Sequence, residues 1–273
     1  MFSMTVYVQG LIVVIAAAFC TWLLSLYKRN VAIVDSLWSL LFMMAAFTYA
    51  LAAGGGAVGP RPMVGAQALG SRAVLVLALV TLWALRLSVY ITWRNWGHGE
   101  DRRYQAIRLR NEPHFAFKSL YLVFVLQALL AWIISLPLLG AELNPGPLQV
   151  TDYLGAGLWL IGLAFEAGGD WQLARFKADP AHRGQVMDRG LWRYTRHPNY
   201  FGDFCVWWGF YLIALAAGGW WTIVSPLLMS MLLLKVSGVT LLEKDIGERR
   251  PAYRDYVART SAFFPRPPKG DAR

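Results

Sequence analysis

Apolar runs long enough to cross a bilayer recur from one end of the chain to the other. The links between them are short, and many are basic. Lipid offers no hydrogen-bonding partner, so a spanning segment must satisfy its own backbone N–H and C=O groups, and a helix does this within one segment. A run of about 18 or more apolar residues is a candidate transmembrane helix. Seven spans are read on this basis, the fifth and sixth a little shorter than the rest, at approximately Val6–Tyr27, Val31–Ala53, Ala73–Trp93, Leu120–Leu139, Tyr153–Gly169, Gly202–Ala217 and Trp220–Leu242. The first lacks a basic leader, so it reads as a retained helix and not a signal peptide. The fold expected is all-α, a polytopic membrane protein with about seven transmembrane helices. Composition agrees: 15% of residues are charged and 57% hydrophobic, whereas soluble domains carry roughly a quarter charged residues.

The links carry turn signals. Gly54-Gly55-Gly56, Pro60-Arg61-Pro62 and Asn144-Pro145-Gly146-Pro147 mark loops, and Gly218-Gly219 marks a tight turn between the last two spans. Residues 1–265 read as a single transmembrane domain whose C-terminal half, about 153–265, is the richest in polar groups. Residues 266–273 read as a loose tail.

The formal net charge is +10. In a soluble protein that balance points to nucleic acid. Here all but four of the 26 Lys and Arg residues fall after the first, third, fifth and seventh spans, the exceptions being Arg61, Arg72, Arg86 and Lys235. That alternation is the positive-inside pattern, with the N-terminus outside and the C-terminus cytoplasmic. It argues for a multi-pass protein, expected in a bacterial inner membrane, and against a nucleic-acid partner. The other partners expected are membrane lipid and a hydrophobic small-molecule or lipid substrate.

Cys20 and Cys205 lie in apolar stretches and read as small buried thiols. His98, His114, His182 and His197 show no paired spacing, so no metal site is expected.

The densest polar stretch begins at the cytosolic end of the fifth span, with Glu166, Asp170, Gln172 and Lys177. Glu166 and Asp170 are four apart and share a helix face. Further on, Arg193-Tyr194-Thr195-Arg196-His197-Pro198-Asn199-Tyr200-Phe201-Gly202-Asp203 leads into the sixth span. Pro198 suits a first helical turn. Free backbone N–H groups there, beside Arg193, Arg196 and His197, favour an anion. Asn199 and Asp203, one turn apart, face Asp170 in this reading. The same spacing equally fits an ordinary basic membrane-interface loop with helix caps.

The run from Arg196 to Asp203 resembles the signature of membrane sterol reductases. The C-terminal portion, through Glu243 to Tyr253, Tyr256, Phe264 and Pro265, is similar to the steroid 5-alpha-reductase superfamily. Asp35-Ser36-Leu37-Trp38, Gly99-Glu100-Asp101-Arg102-Arg103-Tyr104 and Gly190-Leu191-Trp192 resemble its bacterial membrane-protein branch. The resemblance implies a seven-helix fold that holds NADPH from the cytosolic side and a lipid enone deeper in the bundle. It puts Glu166, Asp170, Lys177, Tyr194, Arg196, His197, Asn199, Tyr200, Asp203, Glu243 and Tyr256 at or near the dinucleotide. Lys177 stands where the family usually has Arg, Glu166 where animal enzymes have Asn, and Leu173 where sterol reductases have Lys.

Hydride addition to a conjugated C=C builds negative charge on the carbonyl oxygen, which a donor must polarise. A buried carboxyl that holds its proton can do this, alone or through a tyrosine. Asp35 lies near the family's catalytic Glu. Trp83 aligns with its partner Tyr, and Tyr90, two turns on, is the substitute. Asp35 and Arg86 also fit a structural ion pair. The function expected is NADPH-dependent reduction of the C=C bond of a lipid-like enone. An alternative is an S-adenosylmethionine-dependent membrane methyltransferase of the isoprenylcysteine or phospholipid type, in which an Arg-His-Pro-x-Tyr run precedes a Glu-Glu pair; here the place holds Glu243-Lys244. A lipid-binding or transport subunit is the non-enzymatic reading.

The basic alternation makes a topological prediction. A reporter active only in the cytoplasm should work when fused after Arg273 and fail after Gly56; the reverse result would invert the orientation.

Overall fold

A computed structural model describes residues 2–54, 69–144, 146–236, 239 and 252–269. Every regular element among the described residues is helical. Among the described residues, four helices are long and apolar enough to cross a membrane: Met4–Lys28, Val31–Ala53, Ser71–Asn95 and Phe115–Glu142. They contain the first four expected spans. Of the other three, Trp220–Val236 is apolar but shorter, and the helices that carry spans five and six fall outside that set.

The chain divides into two compact units, Met1–Asp152 with Ile213–Thr222, and Tyr153–Leu212 with Ile223–Arg273. In the first, α1 (Met4–Lys28) ends at Arg29 in the left-handed region, and the Asn30 N–H reaches back to the Ser25 carbonyl at 3.1 Å. The Asn30 side chain then accepts from the Ala32 N–H at 2.9 Å and starts a 3₁₀ turn, Val31–Ile33, that leads into α2 (Val34–Gly54). These caps satisfy backbone groups that a helix end leaves orphaned, and they reverse the chain within two residues. Further on lie α3 (Ser71–Asn95), the short α4 (Arg102–Asn111) and a composite span. That span consists of α5 (Phe115–Ser119), a π turn (Leu120–Val125), α6 (Leu126–Ile134) and α7 (Leu136–Glu142).

Packing in this unit is tight where α1 meets α2. A Cβ on Gly10 would lie 2.4 Å from the Tyr49 ring, and the Tyr49 hydroxyl meets Ser135 Oγ at 2.9 Å. Arg72 is buried, donates to both Asp152 oxygens at 2.8 and 2.9 Å, and also donates to the Asn144 and Pro147 carbonyls. The expected turn at Gly218-Gly219 forms, with Gly218 at φ +77 and Gly219 N–H on the Ala214 carbonyl at 2.8 Å.

The second unit is built on α8 (Val150–Ala178) and α9 (Pro198–Ala216), with α10 (Val224–Met231) and α11 (Ala252–Arg259). α8 runs nine residues past its expected end at Gly169, because Trp171–Ala178 holds neither Gly nor Pro and the next breaker is Pro180. Gly155, Gly162 and Gly169 of α8, and Gly202 and Gly209 of α9, recur every seven residues. Seven residues are about two turns, so each set stays on one face. The two faces meet backbone to backbone. A Cβ on Gly162 would lie 2.6 Å from the Gly202 carbonyl oxygen, and one on Gly209 would lie 2.7 Å from that of Gly155. Small residues that let helices approach this closely are a main packing device in membranes.

The seam predicts opposite outcomes for similar changes. Gly202→Ala puts a methyl 2.5 Å from the Glu166 N and the Gly162 oxygen, which should cost about 1–3 kcal/mol or more. Gly157 meets nothing within 4 Å, so Gly157→Ala should be neutral or stabilise by about 0.5–1 kcal/mol. Thermal melts in detergent separate the two, and equal melts would dismiss the seam.

Candidate functional site

Two polar clusters stand out, one in each unit. In the second unit, Glu166 and Asp170 are buried, 3% and 5% exposed. Gly202 lies against Glu166, and Gly169 lies against Pro198, where α9 starts. This sets Asn199 opposite Asp170, and the Asn199 Nδ2 donates to Asp170 Oδ1 at 3.3 Å, the pairing expected from the sequence. Asp203 follows Asn199 by one turn. His197 is buried, and its ring stacks on Tyr200 at 5.6 Å.

Arg196, read from the sequence as part of an anion-favouring corner, turns its guanidinium onto backbone carbonyls. It is buried, and its guanidinium donates to the Thr260 carbonyl at 2.6 Å and the Val257 carbonyl at 3.1 Å. Its own N–H binds the Ser261 carbonyl at 2.9 Å. The neighbouring residues make similar bonds. Thr195 Oγ1 donates to the Phe263 carbonyl at 2.7 Å, the Tyr256 hydroxyl donates to the Trp192 carbonyl, and the Arg266 N–H donates to the half-exposed Tyr194's carbonyl at 3.0 Å. Lys269 N–H reaches the Arg259 carbonyl at 2.9 Å. The tail expected to be loose from Arg266 is therefore tied down as far as Lys269. Lys177 is exposed and lines a cleft of about 310 Å³ with Phe176, His182, Arg183 and Gln185. Glu243 lies outside the described residues.

A dinucleotide needs a polar pair for its hydroxyl and amide groups and cations for its phosphates. Buried Asp170 with its part-buried partner Asn199, and the exposed cations Lys177 and Arg183, are groups of those kinds; Arg196, turned onto carbonyls, holds the loop that carries His197.

In the first unit Asp35 sits in the first turn of α2. Its Oδ1 accepts from the Tyr104 hydroxyl at 2.5 Å, and its Oδ2 accepts from Arg103 Nη2 at 2.9 Å. Gln127 Nε2 donates to the Tyr104 oxygen at 3.2 Å. The cation on Asp35 is Arg103, not Arg86, and the phenol is that of Tyr104, not Tyr90. The Tyr90 ring lies near the Arg86 and Arg94 guanidinium groups, at 5.8 and 5.7 Å, while Trp83 is buried against Phe42. Burial first, and then the Asp35 carboxylate, push the Tyr104 phenol well above its ordinary range, so it keeps its hydrogen.

α4 is held in place by its own ion pairs. Asp101 caps it, accepting from the Arg103 N–H at 2.8 Å. Glu100 accepts from Arg108 Nη2 and Nε at 2.8 and 2.9 Å, and from the Val31 N–H at 2.9 Å. Burial alone would raise the Glu100 carboxyl, but the Arg108 and Val31 hydrogen bonds hold it below its ordinary value.

That depression fixes the sign of a pH effect. Glu100 stabilises the folded α4 fully above its ordinary pKa of about 4.3, and the contribution is lost as pH falls from there through the lower folded value. Amide hydrogen exchange in α4 should quicken, after correction for intrinsic rates, between about pH 5 and pH 3. Glu100→Gln should remove much of that dependence, and an unchanged profile would count against this anchor.

A family model described as "Protein of unknown function (DUF1295)" matches residues 21–260. "Uncharacterized protein C594.04c" of Schizosaccharomyces pombe (strain 972 / ATCC 24843) is 25% identical over 291 residues, covering 95% of this chain and 80% of that protein. No solved structure matches the chain. The helical architecture with its four apolar helices, and the match over most of the length, lead to one assignment: the chain belongs to the DUF1295 family, of the steroid 5-alpha-reductase-like superfamily.

Proposed function

We propose that this protein is an NADPH-dependent reductase of the C=C bond of a lipid-like enone. In this reading it is a seven-span membrane enzyme that takes its cofactor from the cytoplasmic side. The observation that carries the reading is the Asp35–Tyr104 pair at the start of an apolar helix. An idle carboxylate there is costly, so such residues are functional hypotheses by default. Membership in the superfamily supports the reaction class.

NADPH, when bound, supplies the hydride. Asp170, Asn199 and Asp203 would hold its polar groups, and Lys177 would supply a cation for its phosphates. The phenol of Tyr104 turns from Asp35 to the substrate carbonyl and stabilises the oxyanion as charge builds there. Arg103 keeps Asp35 in place, and Gln127 fixes the phenol oxygen. A proton from water completes the saturated product.

Cofactor identity is the first test. Detergent-purified protein should gain thermal stability with NADPH and none with S-adenosylmethionine; the reverse pattern would favour the methyltransferase. Asn199→Ala should weaken NADPH binding. Tyr104→Phe should leave that binding near normal and slow single-turnover enone reduction by about 10²–10³-fold, the scale of losing one oxyanion donor. Full turnover by a folded Tyr104→Phe variant would remove the phenol from the chemistry.

A further inference from the structure

We propose that the outward face of α4 is a docking surface for anionic phospholipid headgroups. α4 links two helices long and apolar enough to span, Ser71–Asn95 and Phe115–Glu142. Both of its ends are thus tethered to one membrane face. Its inner side is committed to protein: Tyr104 is buried, Arg103 pairs with Asp35 and Asp101, and Arg108 pairs with Glu100.

The opposite side is Arg102, Gln105, Ala106, Leu109 and Arg110, all exposed. These positions recur at helical spacing and make one face. Arg102 and Arg110 have no side-chain partner among the described residues. Glu112, just past the helix end at its C-cap, acts on Arg108. Between the two arginines stands Leu109, 79% exposed. A large exposed apolar side chain between two unpaired guanidinium groups does not suit a nucleic acid or a free phosphate. It does suit a lipid surface, with the arginines at phosphate level and the leucine toward the acyl boundary.

The flanking residues give an independent indication. Trp93 and Trp96 at the end of α3, and Phe117 in α5, are exposed. Aromatic rings of this kind, tryptophan above all, gather at the membrane–water interface. Arg102 and Arg110 are eight residues apart, roughly 12 Å along the axis, so each meets its own headgroup. Arginine's planar fork binds phosphate oxygens in pairs. The inference goes beyond the proposed reaction and does not depend on it.

The test uses the full chain in nanodiscs of phosphatidylcholine with phosphatidylglycerol, with retained lipid counted by native mass spectrometry after transfer to detergent. The parent should retain phosphatidylglycerol over phosphatidylcholine, less so as salt rises. Arg102→Gln and Arg110→Gln should each lower that preference about fivefold, with unchanged melting temperatures. Equal retention of the two lipids, a preference untouched by salt, or an undiminished preference in the double variant would overturn the proposal. Displacement of the lipid by equal concentrations of inorganic phosphate or a short oligonucleotide would also overturn it, because the face would then be a general anion patch.

Discussion

The close approach of α8 and α9 along their glycines is the constraint on which the polar corner of the second unit depends. Lipid removes the hydrophobic drive for helices to pair, so the gain must come from van der Waals contact and hydrogen bonding. Contact is greatest when no side chain intervenes, and Gly162, Gly202 and Gly209 leave none. Backbone contact also removes the slack that side-chain rotamers would allow. Glu166, Asp170 and Asn199 are each within a turn of a seam glycine or the Pro198 contact, so their spacing is inherited from two rigid helices.

Arginine does a second kind of work throughout the chain. Guanidinium presents five donors in a fixed fork, which lets one residue satisfy several acceptors where water is scarce. Arg72 takes a carboxylate and two carbonyls, Arg108 both oxygens of Glu100, and Arg196 two carbonyls of the C-terminal segment. Basicity near a proposed anion site therefore does not count free cations. Arg196, in the middle of the motif, is employed in holding the loop that ends at His197. Lys177 and Arg183, in a less conspicuous stretch, line a cleft.

What could be read from the sequence follows from the range of the interactions involved. The first four spans, the Gly218-Gly219 turn and the face shared by Glu166 and Asp170 depend on composition or on residues a few places apart, and all are recovered. The pairing of Asn199 with Asp170 spans 29 residues but falls on two helices whose phase is fixed by their own spacing. Tyr104 is different. It meets Asp35 across 69 residues from a separate short helix, and no periodicity links the two. Gly99–Tyr104 resembles a family block, but a resemblance without chemistry attached does not say that its tyrosine turns back onto α2. Tyr90 lies on a long helix in the right neighbourhood, yet its ring lies near the guanidinium groups of Arg86 and Arg94.

In the proposed reaction, the hydrogen bonds of the Asp35 cluster bear on which of its members would act on a substrate. Asp35 accepts a hydrogen from Tyr104 on one oxygen and from Arg103 on the other. Arginine is a donor in every accessible state, so the carboxylate faces it as an acceptor. A group engaged on both oxygens by donors has no hydrogen of its own to offer a carbonyl. The phenol has one, and burial together with the neighbouring carboxylate keeps it there. Gln127, donating to the phenol oxygen, leaves the phenol hydrogen as the group free to turn. In the proposed reaction the carboxylate would be the partner that orients the phenol, and the hydrogen bond to a developing oxyanion would fall to the tyrosine.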